Sequence, residues 1–108
     1  MINLEEKVNQ LYNTKSDINE HLPTIIRYGQ ECDHITEMGV RSVLSTWGWL
    51  ASNPIGGLVS YDLYHPSRWG GSIKEVEDTA QAYGIKFQFI EANVLEVDIE
   101  ETDLLFID

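Results

Sequence analysis

A chain of 108 residues with 18 acidic and 7 basic side chains, and a formal net charge of −11, fits one small domain whose surface repels phosphate backbones and anionic membranes. Its apolar fraction of 43% and charged fraction of 23% are those of a soluble globular protein, and no apolar run reaches the length of a membrane span. Cys32 is the only cysteine, which excludes an intramolecular disulfide and a zinc cluster of several thiolates and fits a reducing, cytoplasmic setting. The opening MINLEEKVNQ is acidic and amphipathic, without the pattern of a signal peptide.

In chain order, Asn3 and Glu6 form a capping-box pattern ahead of a helix with Leu4, Val8 and Leu11 on one face. Asn13 and Thr14 break it. A second helix is expected over Leu22 to Cys32, with Pro23 tolerated in its first turn and Leu22, Ile25 and Ile26 on the buried side. Cys32 would then sit at a helix end between Glu31 and Asp33. Both acids raise a thiol pKa and argue against a nucleophile.

His34 to Met38 reads as the first strand, and Gly39 begins a turn. Ser42 to Ser52 reads as a helix with Val43, Leu44, Trp47, Leu50 and Ala51 on one broad face. Trp47 and Trp49 are two apart, so one is expected in the core and the other partly exposed. Pro54, Gly56 and Gly57 turn the chain into a second strand, Leu58 to Asp62. The loop Leu63 to Gly71 carries aromatics, of which Tyr64 and Trp69 are candidates to line a pocket or an interface. Ser72 and Glu75 form a second capping box, followed by a stripe of Ile73, Val76, Ala80 and Tyr83 closed by Gly84. Ile85 to Glu91 is the third strand, 92–101 an acidic connection, and Asp103 to Asp108 the fourth strand.

Strands alternating with helices predict an α/β architecture with a largely parallel sheet and right-handed crossovers. Ligands of such sheets bind at the carboxyl ends of the strands, near the switch in strand order. Glu37, Asp62, Glu91 and Asp108 all fall at or near predicted strand ends. Gly39 lets the backbone turn sharply and approach a ligand, and the helix after it points N–H groups at the same place. Asp62 follows Gly39 at roughly the 20-residue distance at which an acid on the second strand receives ribose hydroxyls in nucleotide folds.

The segments EMGVRSVLSTW, LVSYDLYH, FQFIEANV and DLLFID resemble, in order and spacing, the strand-end motifs of class I S-adenosylmethionine-dependent methyltransferases. The small-molecule type that includes cephalosporin-hydroxylase-like proteins is the nearest in flavour. The resemblance runs from about His34 to Asp108 and implies a Rossmann-like three-layer α/β/α fold with a mostly parallel four-stranded sheet. It also implies S-adenosyl-L-methionine as cofactor and a small-molecule substrate. Glu37 and Gly39 would flank the methionine portion, Asp62 would hold the ribose, Leu63 would pack on the adenine face, and Ala92 or Asn93 would lie beside adenine. Asp108 would lie near the methyl donor and, in metal-dependent relatives, helps hold Mg²⁺. Ser42 and Val43 depart from the pattern, standing where glycine or small residues are usual.

Such domains continue beyond a fourth strand, so residues 1–108 are expected to be the amino-terminal part of one partial methyltransferase-like domain, inactive alone. The apolar run LLFI would then be an exposed edge, and pairing into a homodimer through it, or through other apolar surface, is expected. Arg41 is suited either to Glu37 or to a substrate carboxylate. His65 is placed for ribose contact, for acid–base work or for none. No H-x-x-x-H or H-x-H pair exists, so a histidine metal site is not expected. Ser45 and Thr46 lack a histidine partner and a G-x-S-x-G elbow, which argues against hydrolase chemistry. Two rival readings remain. One is a non-enzymatic interaction module on a degenerate scaffold; the other is an NAD-binding oxidoreductase fragment, which lacks the G-x-G-x-x-G fingerprint.

Overall fold

The computed structural model describes residues 2–16, 18–40, 43–93, 96–99 and 101–107, apart from the side chain of Trp69. Among the described residues four helices and four strands follow one another: α1 (Leu4–Tyr12), α2 (Leu22–Gly29), β1 (His34–Met38), α3 (Leu44–Ala51), β2 (Gly57–Asp62), α4 (Ile73–Tyr83), β3 (Phe87–Glu91) and β4 (Leu104–Ile107). Short 3₁₀ turns cover Asn19–His21 and Pro66–Trp69. Both N-caps form: Asn3 accepts from the Glu6 N–H and Ser72 from the Glu75 N–H.

The sheet is all parallel, in the order β3-β2-β1-β4. The chain steps outward from β1 to β3, then returns to the other side of β1. Ile35 and Glu37 face the helices, with Leu58 and Ser60 beside them on β2. Phe87 and Phe89 on β3, and Leu104 and Phe106 on β4, extend this face and pack on the core.

α3 is the hub of the helix layer, touching α1, α2 and α4. Ser45 to Leu50 are all buried, including both Trp47 and Trp49. This corrects the expectation that one tryptophan is partly exposed: a helix with neighbours on every side buries its whole circumference. Gly48 sets the distance to α2, because a Cβ there would lie 2.9 Å from Ile25 Cγ2 and 3.0 Å from Leu22 Cδ2.

Several boundaries differ from expectation. α2 ends at Gly29, where the backbone packs against Ser52 and Trp49, and the chain turns before reaching Cys32. Ile26 is only partly buried. α3 begins at Leu44, one residue beyond Val43. β3 begins at Phe87, because the Ile85 N–H is still committed to the carbonyl of Ala80 after α4. Tyr83 is 43% exposed rather than in the core stripe, and its hydroxyl accepts from the Leu4 N–H at 3.1 Å, tying α4 to α1.

β4 is anchored at its start. Asp103 Oδ2 accepts from the N–H groups of Asp33 and His34, at 2.9 and 3.0 Å, and the Asp103 N–H donates to the His34 carbonyl. Thr102 Oγ1 lies 2.8 Å from His34 Nδ1 and donates to the His34 carbonyl at 3.0 Å. This clasp sets the register of β4 on β1. Replacing Asp103 by Ala is expected to lower stability by about 1 kcal/mol in a urea titration and to speed amide exchange in β4 more than in β2.

Candidate functional site

At the carboxyl ends of β1 and β2 the chain builds one connected polar cluster. Glu37 is fully buried on the helix-facing side of β1. Its Oε2 accepts from Ser45 Oγ at 2.5 Å. Its Oε1 accepts from Thr46 Oγ1 at 2.6 Å and from Ser60 Oγ at 2.9 Å. A buried carboxylate is tolerated only when its lone pairs are met. Here the donors come from the first turn of α3 and from the facing position of β2.

Above this cluster the chain turns. Gly39 has φ 90°, a conformation L side chains rarely adopt, and its N–H donates to the Tyr61 carbonyl at 2.8 Å. The next N–H, that of Val40, donates to Asp62 Oδ2 at 2.7 Å. Asp62 Oδ1 accepts from the Tyr64 N–H at 3.2 Å. The acid at the end of β2 therefore holds the β1–α3 turn on one side and begins its own loop on the other. The Ala92 N–H donates to the Asp62 carbonyl, so the β3 end joins the same edge, with Glu91 in register with Asp62.

Glu37, Gly39, Asp62, Leu63, Ala92 and Asn93 thus come to one edge of the sheet. They differ in access: Glu37 is sealed beneath the turn, Asp62, Ala92 and Asn93 are half-buried, and Leu63 is 54% exposed. Asp108, Arg41 and Ser42 lie outside the described residues, as does the side chain of Trp69. Tyr64 is 44% exposed, with the Arg68 guanidinium 4.3 Å from its ring centre. His65 has a structural position: its Nδ1 accepts from the Ser67 N–H as the cap of the 3₁₀ turn, and its ring meets Phe89 edge-on. Among the described residues, no group of three or more His, Cys, Asp or Glu side chains is placed to hold a metal ion.

One member of the cluster was missed in the sequence. Ser60 is the third donor to Glu37, and its signal was a polar residue at an inward position of the apolar run LVSYD. Asp62 was read toward a ligand only, whereas half of its carboxylate holds the neighbouring turn.

Val43 carries strain. It caps α3 in the left-handed region, at φ 67° and ψ 17°, with its side chain buried and no side-chain capping bond. A β-branched residue there is a conformational outlier. The sequence marked this position as one where glycine or small residues are usual, and the backbone has the shape that glycine adopts easily.

Cys32 lies away from this edge, beyond α2, with its thiol 3.5 Å from the Tyr28 carbonyl. Burial pushes its pKa up, and the negative charges of Asp103, Glu31 and Asp33 push the same way. The sequence named the last two acids; Asp103 arrives from the residue just before β4.

No protein-family model matches the sequence, and no curated protein matches it. Solved structures do. The methyltransferase of Podospora anserina with S-adenosylhomocysteine bound superposes over 100% of this chain and 50% of its own, at a TM-score of 0.64 and 19% identity. A SAM-dependent O-methyltransferase of Thermotoga maritima superposes over 98% of this chain and 40% of its own, at a TM-score of 0.63 and 17% identity. The fold is that of the class I S-adenosylmethionine-dependent methyltransferases. The chain spans about half the length of these structures. On this methyltransferase fold, the carboxyl ends of β1 and β4 form the topological switch point, which is where open parallel sheets bind ligands.

Two outcomes are expected. Val43→Gly gives up side-chain burial but relieves the strained backbone, whereas Val43→Ala gives up burial alone. The glycine variant should therefore be the more stable of the two by about 1 kcal/mol in thermal or urea unfolding, the reverse of the order at an ordinary position. Cys32 should alkylate with iodoacetamide more slowly than free cysteine at about pH 8, with the rate still climbing above the ordinary thiol range, because its thiolate forms only at higher pH.

Proposed function

We propose that this chain is the cofactor-binding part of a methyltransferase of the S-adenosylmethionine-dependent type, acting on a small molecule when its full catalytic unit is assembled. The observation that carries the reading is the edge formed by Gly39, Asp62, Leu63 and Ala92 at the carboxyl ends of β1, β2 and β3, beside the switch point of a methyltransferase-type sheet. The residues present suit the group. Asp62 is half-buried at the end of β2, and a carboxylate is the group that accepts hydrogen bonds from ribose hydroxyls. Leu63 offers exposed apolar surface beside it for a nucleobase. Gly39 keeps a Cβ away from the methionine end, with Glu37 buried next to it. Asn93 and Ala92 stand after β3, where they would border the adenine.

S-adenosylmethionine supplies an electrophilic methyl group when bound. The chain's own part is to bind and orient: Asp62 fixes the ribose, the turn from Gly39 approaches the amino-acid end, and the site holds the donor in line with an attacking substrate oxygen or nitrogen. Mg²⁺ belongs to the reading only through Asp108, with further ligands needed from elsewhere. Pairing of two copies through β4 is part of the same proposal, motivated by Leu105 and Ile107, which are 44% and 69% exposed. No helix among the described residues is long and apolar enough to cross a membrane, and a cytoplasmic setting is proposed from the lone thiol.

A second reading, a non-enzymatic interaction module, is favoured by the buried Val43 side chain in the turn where an open backbone would best admit a ligand. Calorimetry with S-adenosylhomocysteine separates the two. Saturable heat with the folded wild type, weakened about tenfold or more by Asp62→Ala, supports the cofactor reading. No heat at millimolar ligand supports the module, and binding of NAD without S-adenosylhomocysteine would favour an oxidoreductase instead. Sedimentation showing only monomer at high micromolar concentration would remove the dimer.

A further inference from the structure

The buried carboxylate of Glu37 raises a question that ligand binding does not answer. It is 0% exposed, so a bound ligand meets no surface of it. The residues that receive it are informative. Ser45 and Thr46 are the second and third residues of α3, and both hydroxyls turn toward Glu37. The helix itself has no capping side chain, because the residue at the cap position is Val43. A negative charge beside the first turn of a helix is favourable with its N–H groups and dipole. Glu37 supplies that charge from the neighbouring strand, and Ser60 fixes the carboxylate from β2.

We propose that Glu37 is a positioning residue that clamps the first turn of α3 through the Ser45 and Thr46 hydroxyls and thereby holds the strained backbone at Val43 in the shape in which it meets a ligand. A left-handed valine persists only where its surroundings over-determine it. On the carboxyl side of Val43 that work falls to Glu37 through residues 45 and 46. On the amino side it falls to Asp62 through the Val40 N–H. Val40 and the first turn of α3 are thus each held by an acid from one of two adjacent strands, one sealed and one half-exposed. The effect on ligand binding rests on the cofactor reading above; the effect on the turn does not.

Two variants separate this role from a direct contact. Glu37→Gln preserves shape and some hydrogen bonding but removes the charge. The pair Ser45→Ala with Thr46→Val removes the receiving hydroxyls and leaves the acid. Each is expected to weaken S-adenosylhomocysteine binding by about tenfold, the change that corresponds to one charge-assisted hydrogen bond. Combined, they should weaken it no further than the worse of the two, because both cut the same link. Additive losses would overturn the proposal in favour of independent contacts with ligand. Amide exchange in the ligand-free protein supplies the second readout. Glu37→Gln should accelerate exchange at Val43 to Trp47 well beyond that in β2 and α4. A uniform rise across the chain, or none, would overturn the positioning role and leave Glu37 a general stability residue. If the wild type binds no S-adenosylhomocysteine, the cofactor reading fails while the exchange experiment still decides the role of Glu37.

Discussion

The carboxylate of Glu37 constrains the centre of this molecule more than any other group. Taken out of water completely, it demands donors at defined distances. Ser60 can answer only with β2 in its observed register on β1, since the pairing sets Ser60 beside Glu37. Ser45 and Thr46 can answer only with α3 lying across those strands with its first turn over Glu37. One acid therefore ties together the two central strands and the helix between them. The apolar contacts of the core, those of Ile35, Leu50 and Leu58 among them, favour folding, but they would accept a sliding helix far more readily than the polar cluster does.

The turn above this cluster shows a local rule overridden by its surroundings. Val43 prefers extended backbone, yet it sits in the left-handed region between two held segments. Its side chain is buried in the core, so the hydrophobic contact that keeps it in place opposes the backbone strain. Strain of this kind gathers at functional turns when the rest of the structure can hold it. Here it falls on the loop at the switch point of the sheet. The fold and the placement of the acids support a ligand at this edge, while the valine itself narrows the turn. That tension is why both a cofactor-binding and a non-enzymatic reading have physical support.

Much of the architecture was legible along the chain. The two capping patterns named the starts of α1 and α4 because the cap and the N–H that donates to it lie three residues apart, a local relation. β1 was legible end to end, and β2 to within a residue, from short β-branched and apolar runs bounded by turn residues. Readings failed where the deciding neighbour was distant in sequence. Helical periodicity gave α3 one buried face, but three other helices surround it, so Trp49 is as buried as Trp47. At the end of α2, Gly29 packs against Trp49 of α3 and Ser52 just beyond it, a contact invisible from the residues of α2 alone.

The sequence by itself determined the alternation of strands and helices, the acidic surface, and the arrival of Glu37, Gly39 and Asp62 at strand ends. These follow from periodicity, capping chemistry and turn residues, which act over a few positions. Only the tertiary structure decided which acid is sealed and which is open. It also decided that Asp62 holds the Val40 N–H and that Asp103 reaches back to Asp33 and His34. Those facts depend on strand order and register, set by how the whole sheet and its helices bury apolar surface together. A hydrogen bond between residues tens of positions apart exists only once that packing has brought them within about 3 Å of each other.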